Sequence, residues 1–288
     1  MKLSLTAILF FVSSAAFSLP KPGQVLPNPE TFSIERDTNY NFNGIVKLDN
    51  CSGSLIKFGS SLGSDKAMVL TNGHCVSRPD GGFIKPDKYL YNESTSRSFR
   101  FLKPDGSIRS GSVSSTKILY ATMTGTDMAI YQLSLTYDEM SQRFDVDALV
   151  LSDTKPSVND QIEVLSGYWQ TGYSCHVDGL VYMMKEDAYT WFDSVRYSED
   201  GCHTIHGTSG SPVIGKASGE VVAINNTGND DGERCTMNNP CEVTELGQVT
   251  YKKGLSYAQQ TYVVYSCLTA DRVIDLTKPG CKLFHSSR

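Results

Sequence analysis

From Asn43 onward the apolar residues of this chain come in short runs, none of helical length, each closed off by Gly, Asp, Asn or Ser. Gly44–Leu48, Ala67–Leu70, Lys117–Ala121 and Met128–Leu135 are such runs in the first half. Ile162–Tyr168, Val177–Met184, Thr190–Val195, Pro212–Ile214, Val221–Asn225 and Thr261–Cys267 follow in the second. They are rich in branched and aromatic side chains that suit a pleated surface, and they recur without an intervening 3.6-residue period. Such a pattern predicts an all-β molecule whose strands close into barrels or stack as a sandwich. The polar, Pro-bearing stretch Ser152–Ser157 reads as the link between two β units, 43–151 and 152–288.

The amino terminus is different in kind. Met1-Lys2 is a basic start, Leu3–Val12 an apolar run too short to span a bilayer, and Ala16 and Ser18 occupy the −3 and −1 places of a cleavage site. Residues 1–18 are therefore expected to be a secretory signal peptide, and residues 19–42, rich in Pro, Asn and charge, an N-terminal arm or propeptide. Export to the medium or the periplasm follows, without a stable membrane anchor. Apolar residues at 40% are enough for a real core, which excludes global disorder. A net charge of −5 with no block of Lys or Arg argues against nucleic acid as a partner.

Export also changes the meaning of the eight cysteines, Cys51, Cys75, Cys175, Cys202, Cys235, Cys241, Cys267 and Cys281. An even number outside the reducing cytosol points to disulfides, although eight thiols allow 105 pairings. No C-x-x-C pair occurs and no His stands at ligand spacing beside a cysteine pair, so neither a metal site nor a cofactor is expected.

Three segments carry chemistry. They are Val69-Leu70-Thr71-Asn72-Gly73-His74-Cys75, with Cys51-Ser52-Gly53-Ser54 upstream, then Gly125-Thr126-Asp127-Met128-Ala129, and finally Gly207-Thr208-Ser209-Gly210-Ser211-Pro212-Val213. A serine hydroxyl is a weak nucleophile at neutral pH. It needs a base to take its proton during attack and to pass it to the leaving group, and an imidazole with a pKa near 6.5 suits both steps. A carboxylate behind the ring fixes the tautomer and stabilises the imidazolium. A glycine two residues before the serine can aim its N–H, alongside the serine's own, at the oxyanion that forms.

Taken together, these segments resemble the chymotrypsin/trypsin-like serine endopeptidases, and Gly207–Val213 resembles the bacterial V8-like branch that includes glutamyl endopeptidases. The order His, Asp, Ser is that of this family. The resemblance, over about residues 43–270, implies two six-stranded antiparallel β-barrels with a short C-terminal helix. It also implies His74 as general base, Asp127 as its orienting carboxylate, Ser209 as nucleophile, and the Gly207 and Ser209 amides as the oxyanion hole. It implies a Cys51–Cys75 bridge. Cys175–Cys202, Cys235–Cys241 and Cys267–Cys281 are further expected from their places in the second unit, with other pairings of those six left open.

In this family the residue six before the nucleophile lies at the base of the primary pocket; here it is His203. A histidine cannot pair a buried cation as a carboxylate would, so cleavage after Lys or Arg is disfavoured. Asn225 stands where glutamyl endopeptidases place a histidine, and His203 and Asn225 together are expected to favour a polar or acidic P1 side chain. Thr208 replaces the aspartate that receives the new amino terminus in animal trypsins, so that activation switch is not expected here. The reading is a secreted, monomeric serine endopeptidase acting on protein or peptide substrates through an acyl-enzyme. The alternative is a non-catalytic binding protein that keeps the fold.

Overall fold

The computed structural model describes residues 39–197 and 201–285. The expected signal peptide, and the arm up to residue 38, lie outside the described residues. The first sheet contains β1 (Ile45–Lys47), β2 (Ser52–Lys57), β3 (Lys66–Thr71), β4 (Tyr89–Ser94), β5 (Ser98–Phe101), β6 (Val113–Thr122) and β7 (Met128–Thr136). Helix α1 (Tyr137–Phe144) and the short β8 (Leu149–Val150) follow. Pairing runs β1-β5-β6-β7-β3-β2 and returns to β1, which closes a ring of six strands.

The chain enters the second sheet at β9 (Gln161–Ser166), followed by β10 (Thr171–Glu186), β11 (Tyr189–Tyr197), β12 (Pro212–Gly215) and β13 (Val221–Gly228). β14 (Cys241–Val243), β15 (Val249–Thr250) and β16 (Ser256–Gln260) complete it. Here the order β11-β16-β13-β12-β9-β10 closes through the β10–β11 pairing. The molecule is mostly β with a chymotrypsin-like arrangement.

The period-2 alternation of the strands explains how one sequence serves two surfaces. In β3, Ala67 and Val69 point into the core of the first barrel, while Met68 and Leu70 join a second cluster with Val221 and Ile224 of β13. In β7, Ala129 and Tyr131 face inward and Met128 and Ile130 face that same shared cluster. Val222 and Ala223 of β13 belong to the core of the second barrel. Strands between two hydrophobic layers are therefore buried on both faces. Each fully buried aliphatic side chain there contributes about 1.5–3 kcal/mol.

Two elements differ from expectation. Helix α1 is opened by a capping box, in which the Thr136 hydroxyl accepts from the Glu139 amide and the Glu139 carboxylate accepts from the Thr136 amide. Thr261–Cys267, an apolar run that reads as a strand, is instead a 3-10 helix over Tyr262–Cys267, with Val264 and Cys267 in the inter-barrel cluster. It is the short C-terminal helix.

The cysteines form Cys51–Cys75, Cys175–Cys202, Cys235–Cys241 and Cys267–Cys281 bridges. Among the described residues, no helix is long and apolar enough to cross a membrane.

Candidate active site

His74 lies in the single 3-10 turn Gly73–Cys75 that follows β3. Three contacts hold it against Asp127, at the start of β7. The ring Nδ1 is 2.8 Å from Asp127 Oδ2, the His74 amide donates to Oδ1 at 3.1 Å, and Asn72 Nδ2 donates to the Asp127 carbonyl at 2.9 Å. Asp127 has no exposed surface and His74 is buried. Only glycine fits at position 73, because a Cβ would collide with the Thr122 carbonyl oxygen. The Cys51–Cys75 bridge pins the next residue. A ligand atom of His74 lies within 4.8 Å of both of those sulfurs, but a disulfide offers no thiolate, so this cluster is no metal site.

The loop before Asp127 is gripped from the second barrel. The Gly125 amide donates to the Thr190 carbonyl at 2.9 Å, the Phe192 amide to the Gly125 carbonyl at 3.0 Å, and Trp191 Nε1 to the Met123 carbonyl at 3.0 Å. The β10–β11 hairpin thereby helps to position the carboxylate.

Ser209 sits on the turn before β12 and is drawn onto the first barrel through Ser52. The Ser52 amide donates to the Ser209 carbonyl at 2.8 Å, and the Ser52 hydroxyl donates to the Gly207 carbonyl at 2.8 Å while accepting from the Tyr168 amide at 3.0 Å. Gly210, at φ +82°, presses so closely on the Ser52 carbonyl and the Thr71 hydroxyl that no side chain fits. Gly207, at φ +85°, has the Tyr168 ring 2.7 Å from where a Cβ would stand. Both glycines are thus required by conformation and by space. Among the described residues, neither the Gly207 nor the Ser209 amide donates to a protein group.

The structure brings His74 and Asp127 into direct hydrogen bonding and joins the Ser209 turn to the same barrel. The Ser209 hydroxyl itself donates to the Asn226 carbonyl at 3.2 Å, and His74 Nε2, although buried, has no partner.

A narrow cavity opens beside Ser209, with Asn225, Asn226, Thr227, His206 and Asp230 among its walls. His203 is exposed and does not line it. Tight turns after the Cys202 bridge (His203 amide to the Gly201 carbonyl, Thr204 amide to the Cys202 carbonyl, both 2.9 Å) carry His203 outward. The histidine at the cavity is His206, whose Nε2 is 3.3 Å from Asp230 Oδ2.

Behind Thr227 is Glu186, fully buried at the end of β10. Its Oε1 accepts from the Asn238 amide at 2.8 Å and its Oε2 has no partner. Burial pushes this carboxyl up to about 8; the Asn238 amide and the Thr227 hydroxyl oppose the shift, and the neighbouring Asp127 and Asp230 add to it. At neutral pH Glu186 holds its proton. Sequence reasoning quoted Ser52 without giving it a role, put neither His206 nor Asp230 at the pocket, and did not single out Glu186.

The model of the trypsin-like peptidase domain matches residues 51–224, more than half of the chain, and the chain belongs to that family. Among solved structures it is similar to the MamO protease domain from Magnetospirillum magneticum (apo form), at 15% identity and TM-score 0.49, covering 80% of this chain and 98% of that one. It is also similar to the Rv3671c protease from M. tuberculosis in its active form, at 14% identity and TM-score 0.46, covering 98% and 97%. A Glu endopeptidase in complex with MPD matches at 15% identity and TM-score 0.44, covering 76% and 85%. No curated protein matches the sequence.

Proposed function

We propose that the chain is a secreted serine endopeptidase of the bacterial V8-like branch, with Ser209 as nucleophile, His74 as general base and Asp127 as the residue that orients it. The observation that carries this reading is the His74–Asp127 pair: Nδ1 is engaged at 2.8 Å and Nε2 is left without a partner. The Nδ1–H directed at a buried carboxylate leaves the Nε2 lone pair free to accept a proton.

In the reaction, the Ser209 hydroxyl leaves the Asn226 carbonyl and hydrogen bonds to Nε2. Oγ attacks the scissile carbonyl carbon while its proton passes to Nε2, and the Asp127 carboxylate stabilises the imidazolium. The Gly207 and Ser209 amides, uncommitted within the described protein, donate to the oxyanion; one such donor is worth about 2.7–4 kcal/mol in the transition state. Collapse breaks the C–N bond as Nε2 returns the proton to the leaving amine. Water then attacks the acyl-enzyme with the same base, releasing the new carboxyl terminus and free Ser209. A polar or acidic P1 side chain is favoured over Lys or Arg, because no uncommitted carboxylate stands at the pocket: Asp230 already faces His206 and Glu186 is protonated.

The experiment is digestion of an unstructured protein by the exported chain and by S209A. Hydrolysis by the wild type alone supports the proposal. Hydrolysis by neither, with both folded, favours the non-catalytic binding protein.

A further inference from the structure

A second cavity, of about 330 Å³, shares no lining residue with the one beside Ser209. Its volume is at the small end of ordinary ligand pockets, about 300–1,000 Å³. Both barrels line it. Gly125 and Thr126, which lead into Asp127, form one wall, Phe192 and Tyr262 another, and Lys282 and Phe284 of the C-terminal tail a third. Each wall is fixed before anything binds. The Gly125 backbone is bonded to Thr190 and Phe192, the Tyr262 hydroxyl donates to Asp193 Oδ2 at 2.5 Å, and the Tyr120 hydroxyl donates to the Phe284 carbonyl at 2.8 Å. The Cys267–Cys281 bridge and a 2.9 Å bond from the Lys282 amide to the Ser266 hydroxyl hold the tail. A cavity built this way binds without first ordering its own walls.

The lining sets the ligand's chemistry. Phe192, Tyr262 and Phe284 supply three aromatic rings, and Phe192 is half exposed. A ring that enters among them takes that apolar surface out of water. Charge then selects what the ring carries. Only two lining residues are charged, Asp193 and Lys282. Asp193 is committed, with its Oδ2 2.5 Å from Lys155 Nζ and also accepting from Tyr262. Lys282 is exposed, and its ammonium has no partner among the described residues. A flexible four-carbon stem lets that ammonium swing over the mouth. The uncommitted charge is therefore positive, which disfavours the quaternary ammonium that aromatic rings alone would suit.

We propose that this cavity binds a small aromatic carboxylate, with its ring among Phe192, Tyr262 and Phe284 and its carboxylate paired with Lys282. The occupant rests against Gly125 and Thr126, on the loop that carries Asp127. The assignment is separate from the P1 expectation and does not depend on catalysis at Ser209.

Equilibrium dialysis of the exported wild-type chain against 3-phenylpropionate, 3-phenylpropionamide and phenyltrimethylammonium varies the charge and keeps the ring. One carboxylate per chain is expected, held about five-fold more tightly than the amide and less tightly at high salt, with the cation weakest. K282Q brings the carboxylate-to-amide ratio to about one and leaves any hydrolysis of protein unchanged, whereas F192A weakens both ligands alike. The ratio separates loss of the ion pair from loss of folded protein, which scales both ligands together. No binding of the carboxylate at millimolar concentration, an amide or cation bound as tightly as the carboxylate, or a ratio that survives in K282Q overturns the proposal. The endopeptidase reading stands or falls separately, on hydrolysis by the wild type and S209A.

Discussion

The two sides of Ser209 are finished differently. On the first-barrel side both carboxylate oxygens of Asp127 and its carbonyl are hydrogen bonded, Gly73 admits no side chain, and the ring is left with one open nitrogen. On the second-barrel side Asn225 and Asn226 keep buried amide atoms without partners, and a protonated carboxyl is packed against Thr227 and Asn238. The first arrangement is preorganised and makes no reference to the substrate's side chain. The second leaves buried polar atoms without partners. On the proposed reading, the first side serves the transition state, because its hydrogen bonds are already in place before a substrate arrives.

The sharpest way to break the comparison is to remove the fixed side. S209A or H74A is expected to lower kcat on the order of 10⁶-fold, and D127N about 10⁴-fold, because the wrong tautomer is then favoured. Steady-state hydrolysis of an unstructured protein checks this. A D127N loss below about ten-fold would mean that the pair seen here does not orient the base.

The next effect concerns the acid behind the pocket. Folded Glu186 titrates at about 8, whereas in the unfolded chain it reverts to the ordinary range near 4.3. Between those limits the folded state holds a proton that the unfolded state has released, so stability falls as pH rises from about 4 to about 8 and this contribution levels off above. E186Q removes that slope, so its gain over wild type grows from about 1 kcal/mol at pH 5 to roughly 3–5 kcal/mol at pH 8. Urea unfolding at pH 5 and pH 8 measures it; identical slopes for both proteins would place the carboxyl in contact with solvent.

Smaller effects sharpen the comparison. Replacing Cys51 and Cys75 by Ser opens a loop with a sequence separation of 24 and is expected to cost about 3 kcal/mol in thermal unfolding. S52A removes the hydroxyl that joins Gly207 and Tyr168, at a cost of about 1–3 kcal/mol, and lowers kcat more than it raises KM if the Ser52 contacts hold the oxyanion amides in place.

How much of this was legible in the sequence follows the range of each interaction. Strands such as Met128–Leu135 announce themselves by local pattern, and the segments around His74, Asp127 and Ser209 carry their chemistry in adjacent residues. The capping box at Thr136 and Glu139 was equally local and marks a helix that the run of strand signals obscured. Tyr262–Cys267 has the composition of a strand, but burial of Val264 and Cys267 between the barrels turned it into a 3-10 helix. Counting six residues back from Ser209 selected His203, whereas tight turns after Cys202 put His206 at the cavity. Glu186 looks like an ordinary charge at a hairpin tip; its burial depends on the loop carrying Asn238 folding over it, a closure between distant segments that no local pattern records.

The account rests on the alcohol of Ser209 and the open nitrogen of His74 acting as a unit. Exposing folded wild-type protein and H74A to a fluorophosphonate, then counting adducts by intact-mass and peptide mass spectrometry, tests that directly. One adduct per chain on the Ser209 peptide, formed by the wild type and strongly slowed in H74A, is the predicted result. A folded wild-type protein that stays unmodified, or an adduct that forms equally fast without the imidazole, would contradict it.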